Sequence, residues 1–346
     1  MRKRGKNKEK ILQGIRYRAW LREKRKASKY HYPIRQSYHP QSSIFNIVNR
    51  PAINAPKDFR LIENTQECLT FFRDVRDTTN VNYTRGLSFI KISLANTVYI
   101  DYGAISVLSA ISDDLKYQNI TLQGIFPENA QCKQFVVESG FLNYMVDENN
   151  RPFKKAEKSE LVFFEKGQMS LNQEDRKRIS DIIKNVSYHL TGERKNMPSI
   201  YSILLEICGN SLEWSDTQNK QWLLGIKYEE SKVIFTITDV GKGILQTLHR
   251  KWDKKLVDFF NKTDDEILKG AFEKKYGSQT QMINRNKGLP SIKTIFDEGK
   301  IEKLKVLTNN VLLHFDNKSL STTFKRGETR FKGTYYQWEI NNNCIK

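Results

Sequence analysis

Glu206 and Asn210, four residues apart in Leu204-Leu-Glu-Ile-Cys-Gly-Asn-Ser-Leu-Glu-Trp214, are the first candidates for chemistry. At that spacing both lie on one face of a helix. Mg²⁺ takes hard oxygen ligands and binds through few protein groups alongside phosphates, so an Asn carboxamide oxygen suits it. A carboxylate one turn earlier can orient a water and take its proton for attack on a phosphoryl group. Alone, this spacing is more often a solvated helix face. A second cluster, Asp239-Val-Gly241-Lys-Gly243-Ile244, follows an alternating run, Val233-Ile-Phe-Thr-Ile-Thr. Its two glycines let the backbone take positive φ and approach a ligand closely. A third, Arg285-Asn-Lys287-Gly288-Leu289-Pro-Ser-Ile, reads as a glycine-containing turn opening a helix, whose N–H groups and dipole can bind phosphate. Gly333-Thr334 precedes a final strand, Tyr-Tyr-Gln-Trp-Glu-Ile.

The elements that must carry these groups are legible from periodicity. Ile203, Leu204, Ile207 and Leu212 make the apolar stripe of a helix, and residues 233–238 alternate as a strand. Upstream, Leu87-Ser-Phe-Ile-Lys-Ile, Thr97-Val-Tyr-Ile-Asp and Ile120-Thr-Leu-Gln-Gly-Ile-Phe predict strands. Helical spacing predicts helices over Ile105 to Tyr117 and Ala130 to Ser139, the second closed by Gly140. Strand and helix alternate, so the expected class is α/β. From Leu245 to about Asn284 the chain is polar, with Lys251, Lys254, Lys255, Lys269 and Lys274, and is expected to be a structureless lid or insert.

Composition bounds the rest. Of the net charge of +19, most sits in residues 1–40, which hold 14 Lys and Arg against two Glu. A basic helix is expected over Lys8 to Lys26, and Tyr17, Trp20 and Tyr30 could stack on bases, so residues 1–40 are a candidate nucleic-acid arm. No apolar run approaches the roughly 20 residues that span a bilayer, and no apolar segment follows the charged N-terminus. Cys68, Cys132, Cys208 and Cys344 form no metal-binding pair and fit reduced, buried thiols, with a cytoplasmic location expected. Four parts result: a basic arm (1–53), an α/β domain (54–150), a connector (151–168) with a strand near Leu161, and a C-terminal domain (169–346).

The order Glu206/Asn210, Asp239-x-Gly-x-Gly, Asn286-Lys-Gly-Leu, Gly333-Thr resembles the GHKL ATPases, the family of DNA gyrase B, the Hsp90 chaperones, MutL and histidine kinases. The resemblance covers about half the chain and implies an α/β sandwich, a mixed sheet with helices on one face. It implies ATP and Mg²⁺ as ligands, Glu206 as the general base and Asn210 as the metal ligand. Asp239 would accept a hydrogen bond from the adenine amine, with Gly241, Gly243 and Ile244 around the base and Thr334 holding the Asp. Arg285, Lys287, Gly288 and Leu289 would border the phosphates. Asn286 stands where the family has a glycine, and Asn is the side chain that best tolerates the left-handed region. The lysine-rich stretch corresponds to the family's nucleotide lid, with Gly277-Ser-Gln-Thr as its end.

Val98-Tyr-Ile-Asp-Tyr-Gly-Ala-Ile-Ser-Val-Leu, with Glu138-Ser-Gly-Phe-Leu downstream, resembles a STAS domain. The family's helix-opening turn carries a phosphorylated serine; here Asp101 is kept, the serine positions read Tyr102 and Gly103, and Ser106 is the nearest hydroxyl. The resemblance implies a docking domain without its phosphoacceptor; a plain α/β scaffold is the alternative.

These resemblances together imply an ATP-binding regulatory protein, a Mg-ATP-gated switch with slow ATPase activity acting on a protein partner through the STAS-like part. The alternatives are a serine/threonine protein kinase of anti-sigma-factor type and a nucleic-acid-binding ATPase using the arm. Homodimerisation is left open. His189 lies too close to Glu206 to be the phosphoacceptor of a sensor histidine kinase and is expected to be structural. Bacterial stress signalling and antiphage defence are both compatible with this arrangement, and no residue points to either.

Overall fold

Period-two alternation puts apolar side chains on both sides of the strand at residues 221–229. Trp222, Leu224 and Ile226 belong to one buried cluster and Leu223 to another, so both faces of this strand are covered. The same split recurs at Val306 and Leu307, Leu312 and Leu313, and Tyr335 and Tyr336. A computed structural model describes residues 52–77, 89–144, 151, 162–168, 171–214, 221–252, 262–273 and 288–345. The expected arm helix and most of the connector lie outside these.

The first segment runs β1 (Ile53–Asn54), β2 (Asp58–Phe59), α1 (Thr65–Arg76), β3 (Phe89–Ser93), β4 (Tyr99–Ile100), α2 (Tyr102–Tyr117), β5 (Thr121–Ile125) and α3 (Ala130–Glu138). β1, β3 and β5 form a parallel sheet in that order, and β2 pairs with β4. Asp101 caps α2: its carboxylate accepts from the Ala104 N–H (2.7 Å) and the Leu61 N–H (3.1 Å), while burial pushes its pKa up to about 6.

The second segment runs β6 (Val162–Gln168), α4 (Gln173–Thr191), α5 (Pro198–Trp214), β7 (Gln221–Glu229), β8 (Lys232–Asp239), α6 (Ile244–Trp252), α7 (Asp264–Phe272), α8 (Gly288–Asp297), β9 (Glu302–Asn309), β10 (Val311–His314), β11 (Thr322–Thr323) and β12 (Phe331–Asn341). Its seven-stranded sheet has the order β11-β10-β9-β12-β8-β7-β6. α4 begins with a capping box between Asn172 and Asp175, ends at Gly192, and packs Ile179, Ile182, Ile183, Val186 and Leu190 on the sheet.

The class is α/β, the helices of the second segment lie on one face of its sheet, and one detail corrects the expected mixed sheet. Every described pairing in the large sheet is antiparallel. β8 and β9 run the same way and are joined through α6–α8, but β12 enters between them and pairs antiparallel with both. The second face is also covered. α2 lies on β7 and β8, and its cluster includes Leu223, Val240, Leu307, Leu312, Phe331 and Tyr335 from the second segment. All described residues fall in one compact unit, residues 50–346.

Contact with the large sheet fixes the composition of α2. A Cβ at Gly103 would sit 2.6 Å from the Tyr335 hydroxyl and 3.3 Å from Leu61, so only glycine fits there. Ser106, fully buried, bonds Thr238 (2.8 Å) and Thr236 (3.3 Å). Tyr102 stacks on Phe164 and accepts a hydrogen bond from the Ile226 N–H (3.1 Å). The hydroxyl singled out in the sequence is therefore a packing group of the interior. Lys166 pairs with Asp113 at 2.5 Å at the far end of the helix.

The lysine-rich stretch after Leu245 is corrected too, because it contains α6 and α7. Glu266 reaches back to the Thr263 N–H (2.8 Å), and Ile267, Leu268 and Phe272 are buried in the helix-side core. These apolar anchors hold α7 on the core with Lys269 between them. The four cysteines are buried and unpaired. Among the described residues no helix is long and apolar enough to cross a membrane.

Candidate functional site

Asp239 ends β8 in register with Thr334 of β12. Alternation along β8 puts Val233, Phe235, Ile237 and hence Asp239 on the face covered by α4–α8. Its carboxylate accepts from the Gly241 N–H (3.0 Å) and from both the backbone and the side chain of Thr334. Burial raises the pKa to about 6; those hydrogen bonds and the positive charge of Arg76 oppose the rise.

The backbone around this carboxylate depends on two glycines. Gly243 has φ +81°, and a Cβ there would fall 2.7 Å from Thr308 Oγ1 and 2.8 Å from the Gly333 carbonyl. Gly333 has φ +148° and lies against Val240 Cα, which a Cβ would meet at 3.0 Å. It sits where the pairing of β12 with β9 shifts register between Phe331 and Thr334. Thr308 ties the pieces together, donating to the Gly333 carbonyl (3.0 Å) and accepting from the Ile244 N–H (2.9 Å). Asn309, at φ +53°, donates to the Lys242 carbonyl (2.8 Å) and accepts from the Gln246 N–H (3.3 Å). Sequence reasoning passed over Thr308 and Asn309; the available signal was the pair Asn309-Asn310 closing an apolar strand, which marks a turn.

Glu206 reaches this face from α5. A Cβ on Gly288, the first residue of α8, would overlap its side chain, with Cγ at 2.7 Å. Asn210 follows one turn later, and both are half-buried. Tyr336, two residues past Thr334 on the same face, relates the two carboxylates: burial first, then the charges of Asp239 and of Glu206, raise its phenol pKa. Ile244 and Leu289 pack against the helix-side core.

The structure thus brings Glu206, Asp239, Gly241, Gly243, Ile244, Gly288, Leu289 and Thr334 to one face of the sheet, with Asn210 one turn past Glu206 on α5. Arg285 and Lys287 lie outside the described residues, as does Gly277. His189 bonds the Glu229 carbonyl (2.8 Å) and meets the Tyr228 ring edge-on, which accounts for it structurally. A cavity of about 830 Å³ opens behind the same glycine turn, bordered by Phe72, Arg76, Gln246, Asn309 and Lys332.

The arrangement offers a rigid, buried hydrogen-bond acceptor, a second carboxylate with a carboxamide one turn away, and a helix start pressed against that carboxylate. Comparison of the sequence with family models and with curated proteins finds no match.

Proposed function

We propose that this protein is a Mg-ATP-gated switch of the GHKL type, hydrolysing ATP slowly and acting on a protein partner through its STAS-like first segment. The observation that carries the reading is the convergence on one face of Asp239, locked by Thr334 and Gly241, with Glu206 pressed against Gly288. The four sequence motifs come from separate parts of the chain, and a shared site is what a common ligand would require.

Each residue has a definite task in this reading. Asp239, ionised, accepts from the adenine amine, which favours ATP over GTP, and its fixed position means little reorganisation on binding. The backbone at Gly241 and Gly243 admits the base. The start of α8 at Gly288, with Leu289 behind it, offers N–H groups to phosphate. Glu206 orients a water and takes its proton. Asn210 supplies one neutral oxygen on the same helix face, a donor set that fits Mg²⁺ shared with phosphates. Bound there, Mg²⁺ would neutralise charge developing on the phosphoryl oxygens. The gating requirement is that ATP bind two states of the protein with different affinity.

The test is γ-labelled ATP with wild type, Glu206→Ala and Asn210→Ala. Free phosphate released by wild type and lost in both variants is the expected result. Label retained on this chain or on an added partner would replace the switch with a kinase. Absence of both turnover and direct ATP binding would overturn the reading.

A further inference from the structure

α1 carries two stripes with different purposes. Cys68, Leu69, Phe71, Phe72 and Val75 enter the core beneath the large sheet. Gln66, Thr70, Arg73 and Arg76, spaced at helical intervals, face the lead-in to β12. Gln66 exchanges hydrogen bonds with the backbone of Thr329, accepting from its N–H (3.1 Å) and donating to its carbonyl (3.4 Å). Thr70 and Arg73 bond the Thr329 hydroxyl at 3.0 and 3.2 Å. Arg76, in the last turn, donates from Nη1 to the Lys332 carbonyl and from Nη2 to the Val240 carbonyl, both at 2.6 Å.

Those two carbonyls matter because of where they stand. Val240 directly follows Asp239, and Lys332 precedes the Gly333-Thr334 pair at the register shift. A register shift takes backbone groups out of the ladder, and they need other partners. One planar guanidinium satisfies both, in short charge-assisted bonds that a lysine ammonium cannot reproduce from one position. We infer that Arg76 is a positioning residue for the Asp239 turn, through which the docking of α1 controls the nucleotide site. This rests on the reading of Asp239 and Thr334 as the adenine contacts. Linkage makes the control reciprocal: a nucleotide that needs the braced turn also holds α1 down. The first segment is then the rear wall of the site, and a partner that draws α1 away loosens the grip on ATP.

The experiment uses the full chain as wild type, Arg76→Gln and Arg76→Lys. Calorimetry gives the dissociation constants of ATP and GTP. Hydrogen exchange, with and without ATP, follows residues 65–76, 239–246 and 331–336, with α4 as the internal reference. Loss of a charge-assisted pair predicts ATP binding about tenfold weaker in Arg76→Gln, with a smaller ATP-to-GTP preference. Arg76→Lys, keeping the charge and reaching one carbonyl, should fall between and serves if the Gln variant does not fold. Exchange should quicken in 239–246 and 331–336 and not in α4, and ATP should slow it in 65–76 of wild type.

If wild type binds ATP and both variants match it within about twofold, which is under 1 kcal/mol, the inference is overturned. If wild type binds no ATP, the nucleotide reading fails by itself, and exchange alone decides the brace. Quickening confined to the two site segments then upholds it, and unchanged exchange sinks it.

Discussion

The two faces of the large sheet use the same strands for opposite ends. On the α2 face, the polar groups of β7 and β8 are answered by other protein groups: Thr236 and Thr238 by Ser106, and the Ile226 N–H by Tyr102. On the helix face, one residue further along β8, Asp239 is held by two neighbours, its pKa raised by burial. A carboxylate has room for about four donors. A buried polar group whose partners are complete stabilises the fold. A buried carboxylate held in place with acceptor capacity to spare is what a binding site requires.

Substitutions on the two faces should therefore separate stability from activity. The largest expected effect is in Glu206→Ala, where phosphate release should fall by about 10²-fold or more. Its melting temperature should stay within about 2 °C, since a half-buried surface group contributes little to folding. A large drop in melting temperature would move Glu206 to the structural side of the comparison. Gly103→Val, on the α2 face, should do the reverse. Forcing a side chain against the Tyr335 hydroxyl should cost about 3 kcal/mol in urea unfolding and leave ATP affinity of the folded protein unchanged.

Asp239 gives a pH signature. Its folded pKa, about 6, lies above the unfolded value near 3.8. Its contribution to stability is thus fully present below the unfolded value and is lost as pH rises through about 6, on the order of 3 kcal/mol in all. Asp239→Asn should flatten that part of the profile between pH 4 and 7, leaving the similar share of Asp101, read as the urea midpoint against pH. Wild-type ATP affinity should run the opposite way and weaken as pH falls below about 6, because the neutral carboxyl is a weaker acceptor than the carboxylate. The smallest effect is expected for Ser106→Ala, about 1 kcal/mol in urea unfolding, because Thr236 and Thr238 lose a shared partner.

The sequence displayed the strands and helices whose periodicity is strong, among them β8, α2, α3 and the middle of α5. The candidate residues were legible because glycines, an acid after a strand and an ExxxN helix are local patterns. Groups that act across the chain were not legible. Arg76 lies far in sequence from Val240 and Lys332, and an arginine in the last turn of a helix is unremarkable locally. α6 and α7 were hidden by lysines, since Ile267, Leu268 and Phe272 are too few to establish a period. The antiparallel sheet was hidden because the strand that separates β8 from β9 comes last among the described strands.

That placement of β12 has a consequence for biosynthesis. While the chain is emerging from the ribosome, β8 and β9 exist without the strand that pairs both, and each presents a bare hydrogen-bonding edge. The central seam of the sheet closes only when residues 331–341 arrive, so until then both edges are open to wrong pairing. Thr334 arrives with the same strand, and Asp239 gains its partner at the moment the sheet is sealed.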